Sequence, residues 1–400
     1  MSEVWVAWIL EWLLAAQFAL RDGLHALGLA PLVAGQPAWP FALRLSAEMM
    51  WIDPGHARRV AITGMCAVAA VLLFSVAIAL AALRRRVRSA LVAGLMGVAV
   101  FALLAAPWPA AHLLFAPAVP TSLHRSDSGF RPADILRGQA LFQQNCAQCH
   151  GADARGQGPL AATLGRWPPD LTGGLLWKRL EGELFWRVRH GMRDERLARE
   201  TMPGASPSRL SDADIWQVLD YLQARASGQS LRDLGTWERP VRMPAFALRC
   251  RYGGERRSDG LKGQRVLLVL PSAASSPAPQ EDPRMVSVMV GSRADVDDPE
   301  CLAEDAQLLP ALALLLGERE QDARGFQLLA DRDGWLRARS APGRSAWSED
   351  DLVCRTATAT ATGVQRADKP VAGAGAQGLD VLLRRMDEDP VRPVRAGFPH

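Results

Sequence analysis

The chain has 400 residues, of which 49% are hydrophobic and 22% are charged, and its formal net charge is +4. This length allows several domains, and the small net charge, with four cations in one short cluster, argues against a broad basic surface. Nucleic acid is therefore not an expected partner.

Two apolar runs in the first third of the chain predict transmembrane helices. Residues 60–83 form an uncharged run of membrane-spanning length, and residues 89–106 form a second, shorter one. Four arginines lie between them: Arg84, Arg85, Arg86 and Arg88. The positive-inside rule assigns this cluster to the cytoplasm. Everything after Val119 is then expected on the outer side of a bacterial inner membrane, in the periplasm.

A third apolar run, residues 4–20, is only marginally long enough to span and contains Glu11. Its tryptophans share one helical face: Trp5, Trp8 and Trp12. Such a face is also typical of a helix that lies in the headgroup region. The orientation of the other two spans favours a span here as well. We therefore predict a membrane region over residues 1–120, in contact with the lipid bilayer, with spans at about 4–20, 60–83 and 89–106.

Two cysteines three positions apart are followed directly by a histidine: Cys146, Cys149 and His150. A zinc site would need a second close pair of ligands, but the other cysteines are scattered singly along the chain. A redox dithiol of the thioredoxin type should follow a buried strand, whereas this pair follows an amphipathic helical pattern and precedes a glycine-rich loop.

Covalent haem c accounts for this motif. Both thiols add to the two vinyl groups of the porphyrin, and the next residue presents its imidazole to the iron. We therefore predict one haem c, attached at Cys146 and Cys149, with His150 as an iron ligand.

The residues around the motif predict two flanking helices. Pro132 is suited to a helix start, Ser211 and Asp214 form a capping-box pair, and Gly228 is predicted to end the second helix. Two helices bracketing a haem motif resemble a class I (monohaem) cytochrome c. We assign this all-α domain to residues 130–228.

The resemblance implies the remaining site residues. In the family a methionine before a proline, shortly before the final helix, is the second iron ligand, and Met202 occupies that setting; Met192 and His190 are the competitors. A proline after the motif orients the proximal histidine through its carbonyl, which makes Pro159 the candidate. Expected metal ligands are thus His150 and Met202. The family pattern also implies that Gly138 and Phe142 pack against Tyr221 at a helix crossing.

After residue 228 the pattern changes to strands. Residues 264–270 and 284–290 predict buried strands, residues 303–315 a helix, and Asp333-Gly334 a hairpin turn. Together they resemble a thioredoxin-like α/β domain over residues 231–355. Such domains occur behind cytochrome c in bacterial membrane proteins with a copper resistance protein D type membrane region, which the sequence before residue 60 resembles.

The expected reactive loop of that domain, residues 271–284, contains no cysteine, so we predict a degenerate, non-catalytic domain and regard copper as an unlikely ligand. Cys250, Cys301 and Cys354 allow one disulfide or three free buried thiols, and we favour free thiols. Residues 356–400 have an Ala, Thr and Gly-rich beginning and are predicted to form a flexible tail, with a short helix at 379–385.

The predicted fold class is therefore multidomain: transmembrane α-helices, an all-α cytochrome c domain and a thioredoxin-like α/β domain. The function that follows is a membrane-tethered electron carrier rather than an enzyme, serving redox partners such as a respiratory complex, a dehydrogenase or an oxidase. The alternative is an accessory protein for copper handling or oxidase assembly. A haem peroxidase ranks third, because it needs an open iron position.

Overall fold

The computed structural model describes residues 3–39, 42–46, 53–82, 88–173, 179–194, 199–237, 239–272, 282–291, 299–342, 344, 346–354 and 375–391. Most of the arginine cluster (83–87), most of the cysteine-free loop (273–281) and residues 355–374 of the predicted tail lie outside these ranges. The described chain divides into two compact units. One comprises residues up to 123 with 179–180, and the other comprises the rest.

The first unit is mainly helical. Its helices are α1 (Glu3–Ala26), α2 (Pro54–Ala82), α3 (Arg88–Ala105) and the short α4 (Ala111–Leu114). Its strands form two antiparallel pairs, β1 (Leu32–Val33) with β2 (Gln36–Pro37), and β3 (Leu43–Leu45) with β4 (Phe115–Pro117). Helices α2 and α3 pack side by side.

Among the described helices, one is long and apolar enough by length and composition to cross a bilayer, residues 55–82 of α2. The apolar part of α3, residues 89–105, is shorter. Helix α1 is instead two-sided. It buries Leu10, Leu14 and Phe18, spaced four residues apart, and exposes Trp8 and Trp12.

The second unit begins with the predicted flanking helices. These are α5 (Pro132–Asn145), the single turn α6 (Ala147–His150), α7 (Glu181–His190) and α8 (Asp212–Leu234). A hairpin of β5 (Met192–Asp194) and β6 (Arg199–Met202) joins α7 to α8, so this part is not purely helical. Helices α5 and α8 cross where Gly138 has no side chain: a Cβ there would lie 1.8 Å from the carbonyl oxygen of Gln217. Phe142 and Tyr221 contact each other at this crossing, with ring centroids 5.4 Å apart, as the sequence predicted.

Gly228 does not end the last of these helices. Ser211 and Asp214 form the predicted capping box, but α8 continues to Leu234 and ends at Gly235, which has a left-handed backbone (φ 72°). Gly228 serves a close helix crossing instead. A Cβ at this position would lie 2.0 Å from the carbonyl oxygen of Leu314. The predicted domain boundary near residue 228 therefore lies inside one continuous helix.

An eight-stranded mixed sheet follows, in the order β7-β14-β13-β10-β11-β12-β8-β9. Its strands are β7 (Val241–Arg242), β8 (Ala247–Cys250), β9 (Gly254–Arg257), β10 (Arg265–Val269), β11 (Met285–Val290), β12 (Cys301–Ala303), β13 (Gln327–Ala330) and β14 (Trp335–Ser340). Strands β10, β11 and β12 are parallel, and the other pairings are antiparallel. The predicted strands at 264–270 and 284–290 and the Asp333-Gly334 hairpin are confirmed.

Each face of the sheet is covered by helices. One face packs against α9 (Leu308–Leu316) and α8, and its core also includes Phe130 and Ile135, so the sheet shares a core with the haem-motif helices. The other face packs against α10 (Gly375–Glu388), which buries Leu382, Leu383 and Met386. Part of the predicted flexible tail is thus a packed helix, because its apolar residues recur at helical spacing.

Cys250 and Cys301 form a disulfide, contrary to the favoured expectation of free thiols. They lie directly opposite each other on the antiparallel strands β8 and β12, with Cα atoms 3.9 Å apart. This pairing arises from strand register, which the spacing of 51 residues along the chain does not reveal. Cys354 remains a free, buried thiol, and burial raises its pKa to about 12.

Candidate haem attachment site

The two motif cysteines and the histidine lie on one helical turn. Helix α5 ends at Cys146, and the backbone N–H groups of Cys149 and His150 both donate to the Cys146 carbonyl oxygen, at 3.1 and 2.9 Å. Residues three apart on such a turn lie on the same side of the chain. Both thiols can therefore reach a single planar group.

Both thiols are free and partly buried. Burial raises the pKa of Cys146 to about 11, partly opposed by the positive charge of Arg209 and reinforced by the neighbouring Cys149. Cys146 is consequently a protonated thiol at neutral pH. Addition of such a thiol across a vinyl group places sulfur on one carbon and the hydrogen on the other, which gives the thioether of haem c without a leaving group.

The environment of the His150 imidazole favours its neutral form, which is the form that binds a metal. Burial lowers its pKa, partly opposed by the backbone carbonyl of Pro169. Its Nδ1 atom is buried and has no partner at hydrogen-bonding geometry among the described residues. The same turn therefore holds two free thiols and a partly buried imidazole whose Nδ1 atom is buried without a partner among the described residues. This donor set fits haem c.

The backbone carbonyl that interacts with His150 belongs to Pro169, not to Pro159 as we had expected. The loop after the motif folds back on itself, because the N–H groups of Gly158 and Leu160 donate to the carbonyl oxygens of Cys149 and Gln148. This fold leaves Pro159 exposed on the outside.

Gly156 allows the segment that contains Pro168 and Pro169 to approach the loop after the motif. Gly156 has a left-handed backbone (φ 81°), and a Cβ on it would lie 2.3 Å from the carbonyl oxygen of Pro168. Residues 168–169 can therefore pack against the loop that carries His150.

Met202 is the last residue of β6 and lies opposite Met192 on β5. The sulfur of Met192 accepts a hydrogen bond from Arg187 Nη1 at 3.3 Å, and the His190 ring lies against Trp186 with centroids 3.8 Å apart. Both competitors of Met202 are thus engaged by neighbouring side chains. The sequence favoured Met202 over Met192 because Met202 precedes a proline and lies nearer the final helix, and the hairpin places the two methionines opposite each other.

Several site-building residues were missed in the sequence. Phe185 and Trp216 stack with centroids 4.8 Å apart in the core beside the motif. Arg189, near the end of α7, makes three hydrogen bonds to the segment after Met202. Phe185 and Trp216 could have been suspected only as aromatic residues on amphipathic helices. Arg189 lies in a charged run, and nothing in the sequence distinguishes it from its neighbours.

Two crossed helices, a one-turn thiol–thiol–imidazole motif and a methionine hairpin define a c-type cytochrome domain. Residues 133–222 match the family model described as cytochrome c oxidase, cbb3-type, subunit III. This domain implies covalently bound haem c and a role in electron transfer.

Two curated relatives each match about a quarter of the chain. The thiosulfate dehydrogenase of Stutzerimonas stutzeri (strain A1501) is 30% identical over 103 residues, which cover 25% of this chain and 30% of the relative. The cbb3-type cytochrome c oxidase subunit CcoP of Rhodobacter capsulatus is 31% identical over 103 residues, covering 25% and 33%. The chain therefore spans about a third of the length of the curated relatives it matches.

Among solved structures, a chain of the Kuenenia stuttgartiensis reducing HAO-like protein complex Kustc0457/Kustc0458 is 22% identical and covers 33% of this chain and 59% of its own length. Its TM-score is 0.20, which is too low to support a structural argument.

Proposed function

We propose that the protein is a membrane-tethered c-type cytochrome that carries single electrons through one covalent haem in the periplasm. The observation that carries this proposal is the single turn that presents two free thiols and a partly buried imidazole. The full sequence contains this Cys-x-x-Cys-His pattern once. When bound there, the haem supplies a one-electron Fe(III)/Fe(II) couple.

The proposed roles of the chain's own residues follow from the site. Cys146 and Cys149 would attach the group, and His150 and Met202 would bind its iron. Filling both iron positions leaves no open site for oxygen or peroxide, and a thioether ligand raises the reduction potential. Electron transfer rather than oxygen chemistry is the task such ligation suits.

Membrane tethering is supported by α2, which is long and apolar enough to span and exposes Val68, Leu72 and Ile78 along its length. The tether raises the effective concentration of the haem near membrane complexes. The match to oxidase subunits supports a respiratory oxidase as the redox partner.

The C-terminal sheet is proposed to be a non-catalytic, thioredoxin-like domain. Parallel strands β10 and β11, helix α9 and the β13–β14 hairpin support this assignment. Its role would be structural, since one face shares a core with the haem-motif helices.

The attachment chemistry is tested by replacing one thiol at a time. We expect Cys146→Ser or Cys149→Ser, expressed with a functional haem-ligation pathway, to lose haem or retain it through a single thioether. Either result changes the pyridine haemochrome spectrum, because each thioether saturates one vinyl group. Cys66→Ser removes a free thiol outside the motif and should leave the spectrum unchanged. A wild-type spectrum from both motif variants would refute the proposed function.

A further inference from the structure

Arg189 connects the end of α7 to the segment that follows Met202. Its side chain is largely buried, with 9% of its surface exposed. Nη1 donates to the carbonyl oxygens of Ala205 (2.7 Å) and Leu210 (2.8 Å), and Nη2 donates to the carboxylate of Asp212 (2.6 Å). One guanidinium therefore holds three points of the chain between Ala205 and Asp212. We call residues 202–212 the methionine loop.

The backbone reinforces this connection. The Ala205 N–H donates to the carbonyl oxygen of Val188 at 2.9 Å. Gly191, with φ 74°, lies so close to the loop that a Cβ would come within 2.4 Å of the Met202 carbonyl oxygen and 2.6 Å of the Gly204 nitrogen. The end of α7 and the chain around Met202 are thus packed backbone against backbone.

Moving residues 202–210 together, away from the end of α7, would break these contacts. The carbonyls of Ala205 and Leu210 would lose a charged donor, and the guanidinium, stacked near Phe185 with Cζ 6.0 Å from the ring centroid, would lose its acceptors in a largely buried position. Hydrogen bonds to charged groups are among the stronger ones in proteins, and a buried charge without partners is costly.

We infer that Arg189 is a positioning residue that holds the Met202 thioether in place for binding to the haem iron. This inference rests on the proposed function, in which Met202 is the second iron ligand. The three hydrogen bonds of the Arg189 guanidinium go to the chain itself. Arg189 acts by raising the cost of opening the methionine loop, and so it resists replacement of the sulfur by external ligands.

The test is a titration of the purified, ferric full-length protein with imidazole, which competes with the thioether for the iron. We expect Arg189→Gln to bind imidazole about tenfold more tightly than the wild type, or better, because the loop opens more easily. The long-wavelength absorption of thioether-ligated ferric haem should weaken in parallel. Arg189→Lys, which keeps the charge but has a single donor group, should lie between the two.

Arg137→Gln is the matched control. Arg137 lies 3.8 Å from Asp214, which is in the first turn of α8 like Asp212, the partner of Arg189. The substitution therefore removes a cation near the same turn and leaves the contacts of Arg189 in place. We expect this variant to bind imidazole as the wild type does. If Arg189→Gln lowers the melting temperature but leaves imidazole affinity and the absorption band unchanged, Arg189 is only structural and the inference is wrong. A comparable gain in affinity in Arg137→Gln would overturn it as well.

Met202→Ala tests the iron ligand separately from the positioning role of Arg189. If this variant keeps the long-wavelength band, Met202 is not the ligand, and both the ligation and the role of Arg189 are refuted. If Met202→Ala loses the band while Arg189→Gln and Arg189→Lys titrate like the wild type, the ligation stands and only the positioning role fails.

Discussion

Asp220 has a carboxyl group that is almost completely buried, which disfavours its ionised form. It is 7% exposed, and its Oδ2 atom has no hydrogen-bond partner among the described residues. Burial is the main reason that the pKa of Asp220 is raised, to about 7, and the negative charges of Glu181 and Asp134 raise it further. A hydrogen bond from Ser128 and the positive charge of Arg131 act in the opposite direction. The ionised form of Asp220 is therefore a source of instability at neutral pH.

The sign of the pH dependence follows from the raised pKa. Between about pH 4 and pH 7 the folded chain retains the Asp220 proton and the unfolded chain does not, so this group makes stability fall as pH rises through that interval. We expect Asp220→Asn to be more stable than the wild type at pH 8 by about 1–3 kcal/mol, with the difference gone near pH 4. Denaturant unfolding at both pH values measures it.

Asp127→Asn, at an exposed position in the same loop as Ser128, should show no such difference. An Asp220→Asn variant that is less stable than the wild type at pH 8 would contradict the explanation.

At the scale of elements, one helix serves two parts of the second unit. The first half of α8 crosses α5 beside the haem motif, and its second half crosses α9 beneath the sheet. At the second crossing Gly228 and Gly317 bring the two backbones into contact, since a Cβ on Gly317 would lie 2.2 Å from the Gly228 carbonyl oxygen. The sheet therefore contributes to the position of the helix that completes the haem site.

The crossing makes Gly228 sensitive to the smallest substitution. We expect Gly228→Ala to lower the free energy of unfolding by about 1–3 kcal/mol, because the added methyl group forces α8 and α9 apart. Thermal unfolding of the full chain measures the effect. Gly260→Ala, where a Cβ meets nothing within 4 Å, is the control and should change stability by less than about 0.5 kcal/mol. Equal stability of the two variants would show that the helices separate without cost.

For the complete chain, the proposed topology assigns everything after Val119 to the periplasm. The first unit contains α2 and α3, and the haem motif and the sheet follow in the second. The disulfide between Cys250 and Cys301 is compatible with the oxidising compartment that the topology assigns to the second unit.

Reporter fusions test this topology directly. A reporter fused after Arg88 should be active as a cytoplasmic protein, and one fused after Val119 should be active only as an exported protein, because the arginine cluster is retained inside. Alkaline phosphatase and a cytoplasmic fluorescent protein report the two locations. Activity in the reverse pattern would place the haem motif in the cytoplasm and remove the basis for haem attachment outside it.

Features that lie within one or two helical turns could be predicted from the sequence alone. The Cys146–His150 motif, the Ser211 capping box and the apolar run of α2 depend on neighbouring residues, so their spacing was enough to predict them. The strands of the sheet core were likewise visible as short apolar runs.

The contacts between groups far apart along the chain became visible in the folded structure. The fold paired Cys250 with Cys301, brought the carbonyl of Pro169 rather than Pro159 to His150, and turned Gly228 from an expected helix end into a crossing point. Each of these outcomes depends on strand register or on the approach of a segment far along the chain. The spacing of residues along the chain and their helix or strand propensities do not predict which distant segments come into contact. The free energy that selects these contacts comes from packing between helices and strands.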